Sequence, residues 1–243
     1  MPIQLTKTMK FLLIAYVGVF LCQIGLDQVL GGSVRALLAL VPALVIQKGY
    51  IWQLFTYSFL HNDVMHLVLN ALVLAFVGSD IEGLWGRKRF LFYYFSCIFM
   101  SGIIYLFIQI FSKNPAALMT PMMGSSGGIY GLLVAYGILF SERTMLFMLL
   151  FPMKAKHFVW VLGGFELLIV ISSGQNTLSS IAHLSGMGTG FVLLWLQAKW
   201  AARGRSGGKG GFGKSRRTGH LRIVKDNETS DRDQSNKSGP TWH

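Results

Sequence analysis

The stretch FLFYYFSCIFMSGIIYLFIQIFS, residues 90–112, runs for 23 residues without a charge, and its reading decides the fold. A helix needs ~20 predominantly apolar residues to cross the hydrocarbon core of a bilayer. This segment therefore predicts a membrane span, and the sequence on either side repeats the pattern. Upstream, Arg87-Lys88-Arg89 bounds it, and before them Val64 to Ser79 is a second uncharged stretch, carrying His66 and Asn70 and closed by Asp80 and Glu82. Phe11 to Leu26 is uncharged and follows Lys7 and Lys10. It predicts a span over Met9 to Gln28 rather than a signal peptide, because no small-x-small cleavage site closes it. Between these two spans, Ala36 to Ile46 is apolar but only 11 residues long and contains Pro42, which suits an interfacial or re-entrant segment.

Downstream, the uncharged run 114–141 is broken early by Pro115, Pro121 and Gly124, so a helix of about 17 residues is expected from Ser125. So short a helix starts below the membrane surface, and the irregular backbone before it must be screened from lipid. Met145 to Phe151 reads as a short interfacial connection stopped by Pro152. Spans over 157–173 and 178–199 follow, separated by a polar loop from Ser172 to Ser180 that is expected to be mobile. The fold class is thus an all-α membrane protein, a six-helix bundle over residues 1–200. Residues 201–243 form a basic, Gly/Ser-rich tail expected to be disordered.

Composition agrees with this division. Hydrophobic residues make up 52% of the 243, and only 13% are charged against ~25% in soluble domains. That is a poor match for a soluble dehydrogenase, a secreted disulfide scaffold or a disordered chain. Cys22 and Cys97 both lie in apolar runs and offer no disulfide framework. In a six-span arrangement, 19 of the 22 Lys and Arg fall on the face that holds both termini, leaving Arg35, Lys48 and Lys113 on the other. By the positive-inside rule both termini are cytoplasmic, as in a multi-pass protein of a bacterial inner membrane. Half of the +12 net charge belongs to the tail, which suits contact with anionic lipid; nucleic acid is not expected, since no aromatic stacking pattern accompanies the charge.

Against so apolar a background, polar groups within spans are costly and therefore candidates for function. His66 and Asn70 are four residues apart on one helical face, Ser126 starts the fourth helix, and His183 lies early on the sixth. All four are expected at one depth in the outer half of the membrane. Each alone has an ordinary structural explanation, but together they supply a nucleophile, a general base and side-chain donors, the parts needed for acyl transfer. At a helix N-terminus Ser126 also gains free N–H groups and the positive end of the helix dipole. Gly127 and Gly131, and Gly186 and Gly190, form small-xxx-small faces that allow two helices to approach closely. Tyr130, one turn after Ser126, either shelves the His183 ring or simply packs. Glu166 is read as too deep on the fifth span to orient the imidazole, so a Ser-His pair without a third member is expected.

Several motifs then resemble the rhomboid family of intramembrane serine proteases. They are Trp52-Gln-Leu-Phe-Thr-Tyr-Ser-Phe-Leu-His61, His66-Leu-Val-Leu-Asn70, Gly78-Ser-Asp-Ile-Glu82, Gly86-Arg-Lys-Arg-Phe90, Gly124-Ser-Ser-Gly127 and Ala182-His-Leu-Ser-Gly186. The resemblance implies a Ser126–His183 dyad and an oxyanion hole from Asn70, His66 and the Ser126 N–H. It also implies that Gly124 and Gly127 frame the nucleophile, that Tyr130 stacks beneath His183, and that residues 30–62 lie partly in the outer leaflet. The implied activity is cleavage of transmembrane protein substrates, with no cofactor and no metal. Gln53 departs from the family, where many members have Arg, and this puts anchoring of the first loop in doubt.

A water route to the site is expected through His61, Asn62, His66 and Asn70. A metalloprotease would want His-Glu-x-x-His, which the chain lacks. An aspartyl protease would want two intramembrane Asp, whereas Asp27, Asp63 and Asp80 lie at span ends. The chief rival is a catalytically silent rhomboid-like protein that binds or escorts transmembrane helices, although such relatives usually lack the Ser or the His. A transporter is disfavoured by the lack of an internal repeat of broken helices. Oligomeric state is not legible in the sequence.

Overall fold

The computed structural model describes residues 4–30, 33–112, 115–147, 151–172 and 178–206. Helix α1 (Lys7–Leu30) is followed by short helices α2 (Ser33–Leu38), α3 (Pro42–Lys48) and α4 (Gln53–Thr56), the last running into a 3-10 turn, Tyr57–Phe59. Helix α5 (Val64–Val73) continues through a π-turn, Leu74–Gly78, into α6 (Ser79–Trp85), and then come α7 (Arg87–Ile110) and α8 (Ser126–Leu139). An antiparallel hairpin of β1 (Thr144–Phe147) and β2 (Phe151–Lys154) leads into α9 (Ala155–Ser172) and α10 (Leu178–Ser206). Five helical segments are long and apolar enough to cross a membrane, namely Lys7–Val29, Val64–Trp85, Arg87–Ile110, Ala155–Ser172 and Leu178–Arg203. Helix α8 is apolar but shorter, 14 residues or about 21 Å at ~1.5 Å per residue.

Local chemistry sets these boundaries. The Asp63 carboxylate accepts from the His66 backbone N–H at 2.8 Å and caps α5. Helix α3 opens on Pro42 and closes on Gly49 with a positive φ of 70°, a pairing that suits a fixed φ at the start and a left-handed residue at the end. The second long helix runs past Asp80 and Glu82. It extends to Trp85 because both carboxylates have partners: Glu82 accepts from Thr6 and, at 2.5 Å, from Thr8 of α1, while Asp80 accepts from Arg143 and from Tyr136 at 3.0 Å.

Helix α10 runs to Ser206. Two expectations are corrected. The proposed interfacial connection after α8 contains a β-hairpin, next to which Glu142 bonds Lys154 at 2.6 Å and also Lys156. Gln53 does anchor the first loop: its amide donates to Ala36 O at 2.8 Å and Leu37 O at 3.2 Å and accepts from Val41 N at 3.0 Å. The loop is closed further by a bridge between Leu40 and Met122. The expected disordered tail lies outside the described residues from 207 onward, as do 173–177 of the expected mobile loop.

The core is rich in tyrosine. Tyr16, Tyr57, Tyr93, Tyr94 and Tyr105 are fully buried. Tyr57 donates to Ile98 O at 2.6 Å, Tyr93 to Gly131 O at 2.8 Å and Tyr105 to Thr120 O at 2.8 Å, so large rings fill space while each hydroxyl has a partner. Large apolar side chains such as Phe11, Phe92, Trp160 and Ile171 instead point outward, the pattern of a surface facing hydrocarbon. Helices α8 and α10 meet backbone to backbone. A Cβ at Gly186 would overlap the Gly127 carbonyl, and one at Gly190 would come within 3.0 Å of the Gly131 Cα.

Two predictions follow from this packing. Gly186→Ala is expected to destabilise by roughly 1–3 kcal/mol or more, whereas Gly188→Ala, which meets nothing within 4 Å, should be neutral or stabilising, as measured by thermal unfolding in detergent. The second concerns His61, whose ring is buried edge-on to Tyr16 and His66. Burial, helped by neighbouring His66, lowers its pKa to about 4. The folded chain thus binds this proton less readily than the unfolded chain, where the imidazole titrates near ~6.5. Its contribution to stability is intact above that range and declines as pH falls toward 4. Replacing His61 by Phe should flatten the decline in a pH series of unfolding midpoints, and an unchanged slope would exclude His61 as its source.

Candidate active site

The segment leading into α8 is held by main-chain bonds. Met122 pairs with Leu40, and Gly124 N–H donates to Tyr57 O at 3.0 Å. Gly124 has a φ of +114°, a conformation that L side chains rarely adopt. A Cβ here would also stand 2.6 Å from His66 Cε1 and 2.8 Å from its Nε2. Glycine is therefore required twice over: by the turn, and by the imidazole of α5 lying against it.

Ser126 follows as the first residue of α8, where backbone N–H groups lack intrahelical partners. Its Oγ lies 2.9 Å from Nε2 of His183 on α10. The backbone contact at Gly127 and Gly186 brings the two helices close enough for this bond. Gly127 also packs against α7, since a Cβ there would stand 2.5 Å from Ser101 Oγ. The ring of Tyr130 stacks on His183 with centroids 4.1 Å apart and planes 7° from parallel, which decides between the two expectations for Tyr130 in favour of the shelf.

The other ring nitrogen of His183 corrects a second expectation. Nδ1 lies 2.8 Å from Oε1 of Glu166, and Tyr130 donates its hydroxyl to the same oxygen. Glu166 is not too deep. It stands six residues below the end of α9 at Ser172, and His183 stands five below the start of α10 at Leu178. At ~1.5 Å per residue these depths differ by less than about 2 Å. Counting from the shared loop was the signal that would have found it.

Asn70 is buried, and its Nδ2 has no hydrogen-bond partner, although buried amides are nearly always paired. The same nitrogen would lie 3.8 Å from a Cβ on Gly124, so it faces the turn before Ser126. A cavity of about 240 Å³ opens between these elements, lined by Asn62, His66, Met123, Gly124, Ser126 and His183 among others. A wider groove of about 1190 Å³ adjoins it along the end of α7 and the start of α10, sharing Asn62, Met122, Met123 and Ser179. Of the residues expected on a water route, Asn62 and His66 line the smaller cavity; His61 and Asn70 do not. Among the described residues no group of three or more His, Cys, Asp or Glu converges as a metal site.

The rhomboid domain family matches residues 48–200, more than half of the chain and the part that contains this whole constellation. Rhomboid-like protein 15 of Arabidopsis thaliana is 24% identical over 157 residues, covering 62% of this chain and 38% of that protein. Rhomboid protease GluP of Bacillus subtilis (strain 168) is 37% identical over 91 residues, covering 37% and 16%. Rhomboid-like protease 3 of Toxoplasma gondii is 25% identical over 144 residues, covering 59% and 51%. The chain thus spans well under two thirds of the length of these relatives. Match and geometry meet on the same residues, and the chain belongs to the rhomboid family.

Proposed function

We propose that this chain is an intramembrane serine endopeptidase that cleaves transmembrane segments of membrane proteins. The observation that carries the reading is the 2.9 Å contact between Ser126 Oγ and His183 Nε2, beside a buried Asn70 amide with no partner. In this reading α8 is a sixth span, residues 1–200 form the membrane domain, and both termini are cytoplasmic. The surrounding bilayer, of bacterial inner-membrane type, meets the basic tail through its anionic lipids.

The chemistry proceeds by acyl transfer. His183 Nε2 takes the Ser126 proton as Oγ bonds to the scissile carbonyl carbon, and the carbonyl π electrons move to oxygen. The resulting oxyanion is met by the Asn70 amide, the His66 ring and the Ser126 backbone N–H at the positive end of α8. The imidazolium then protonates the leaving amine as the C–N bond breaks. Water entering past Asn62 and His66 loses a proton to His183 as its oxygen bonds to the acyl carbon; the bond from that carbon to Ser126 Oγ then breaks, and His183 returns the proton to Oγ. A substrate helix must unwind before its carbonyl can reach Ser126, because helical carbonyls are already bonded within the helix. Substrates with small or helix-weakening residues near the outer membrane surface are therefore favoured.

Cleavage of a tagged single-span substrate in liposomes tests the reading. Ser126→Ala and His183→Ala should each abolish cleavage, and full activity in either would overturn it. Asn70→Ala should lose roughly 10- to 1000-fold in kcat if its amide meets the oxyanion; an unchanged kcat would remove Asn70 from that role.

A further inference from the structure

We propose that Glu166 is a positioning residue that turns the Ser126–His183 pair into a triad, holding the imidazole with its proton on Nδ1 and its lone pair on Nε2 toward Ser126. The inference rests on the hydrolytic reading above and adds a third member to it. Three independent features converge on this carboxylate. Its Oε1 lies 2.8 Å from His183 Nδ1, opposite the nitrogen that meets Ser126. The same Oε1 accepts from Tyr130, whose ring is stacked on His183, so one residue of α8 fixes both the plane of the imidazole and the position of the carboxylate. Finally, Ala155 and Glu166 are the buried residues of α9. Between Phe165, Leu167 and Leu168, which point outward, the helix turns its acid inward to the histidine.

Neutral imidazole has one N–H and one lone pair, and a hydrogen bond at one nitrogen decides which is which. A carboxylate can only accept, so at Nδ1 it selects the Nδ1–H form and leaves Nε2 free to take the serine proton. When that proton arrives, the ring becomes a cation with the carboxylate already in contact, and the Nδ1 proton stays where it is. No further proton transfer is needed, and no atom of Glu166 touches the substrate. Among the described residues, the groups facing His183 are Ser126 and Tyr130 from α8 and Glu166 from α9, with His66 from α5 lining the same cavity. Glu166 is the acid among them.

The test pairs kinetics with the tautomer itself. In the full-length protein labelled with 15N-histidine, the His183 signal is assigned by its loss in His183→Ala. At alkaline pH it should show the proton on Nδ1, and an Nε2–H form in the parent would overturn the proposal without any Glu166 variant. In liposome cleavage, Glu166→Gln should lower kcat roughly 100- to 10,000-fold with KM little changed and should shift the tautomer population. Glu166→Asp, which keeps a carboxylate one methylene shorter, should recover part of that loss. A Glu166→Gln variant with parental kcat would overturn the proposal, and so would one that loses kcat while keeping the parental tautomer. Ser126→Ala is run beside them: if it still cleaves, the hydrolytic reading itself fails, whereas an inactive Ser126→Ala next to a fully active Glu166→Gln removes Glu166 alone.

Discussion

The contact between α8 and α10 at Gly127 and Gly186 is the constraint from which the rest of the structure follows. There is no room for a side chain on α10 at that point, because the Cβ that Gly186 lacks would overlap the Gly127 carbonyl. In a membrane, lipid tails are as apolar as the side chains, so association depends on close packing rather than on escape from water. Leaving out the Cβ at Gly186 gives that packing between the two helices, while the Cβ that Gly127 lacks would meet Ser101 of α7. His183 lies one turn before Gly186 and Ser126 lies next to Gly127. The 2.9 Å spacing of their polar atoms therefore depends on glycine at 186.

The same economy governs the polar groups of the interior. Hydroxyls that could be unpaired in hydrocarbon are instead aimed at specific main-chain carbonyls, as Tyr93 is at Gly131 and Tyr57 at Ile98. Acids near the opposite end are shared out in the same way, Glu82 to Thr6 and to Thr8 of α1 and the half-exposed Asp80 to Arg143 and Tyr136. An unpartnered amide such as that of Asn70 costs about 1–3 kcal/mol, and it persists beside the turn into α8.

Much of this was legible in the sequence because hydropathy and small-residue spacing are local signals. The long helices, the short fourth helix and the grouping of His66, Asn70, Ser126 and His183 all follow from runs and intervals. What is not legible depends on partners far along the chain. Gln53 looks like a weakened anchor until the carbonyls of Ala36 and Leu37 and the N–H of Val41 converge on it. Glu166 reads as too deep on its span, whereas its distance from the end of α9 puts it level with His183.

Helices around the site also differ in how firmly they are held, and the difference matches what each contributes. Helix α8 buries ten of its 14 residues, from Gly127 through Gly137 with Tyr130 the half-buried exception, so Ser126 stands at the end of a rod enclosed by α5, α7, α9 and α10. Helix α9 buries only Ala155 and Glu166 of its 18, while Trp160, Phe165, Leu167, Leu168 and Ile171 are exposed. Small displacements of a reacting atom are costly in rate, so in the proposed chemistry Ser126 gains from that enclosure. Helix α9 is peripheral, yet its buried Glu166 bonds both His183 Nδ1 and the Tyr130 hydroxyl, so whatever orders α9 also orders the imidazole.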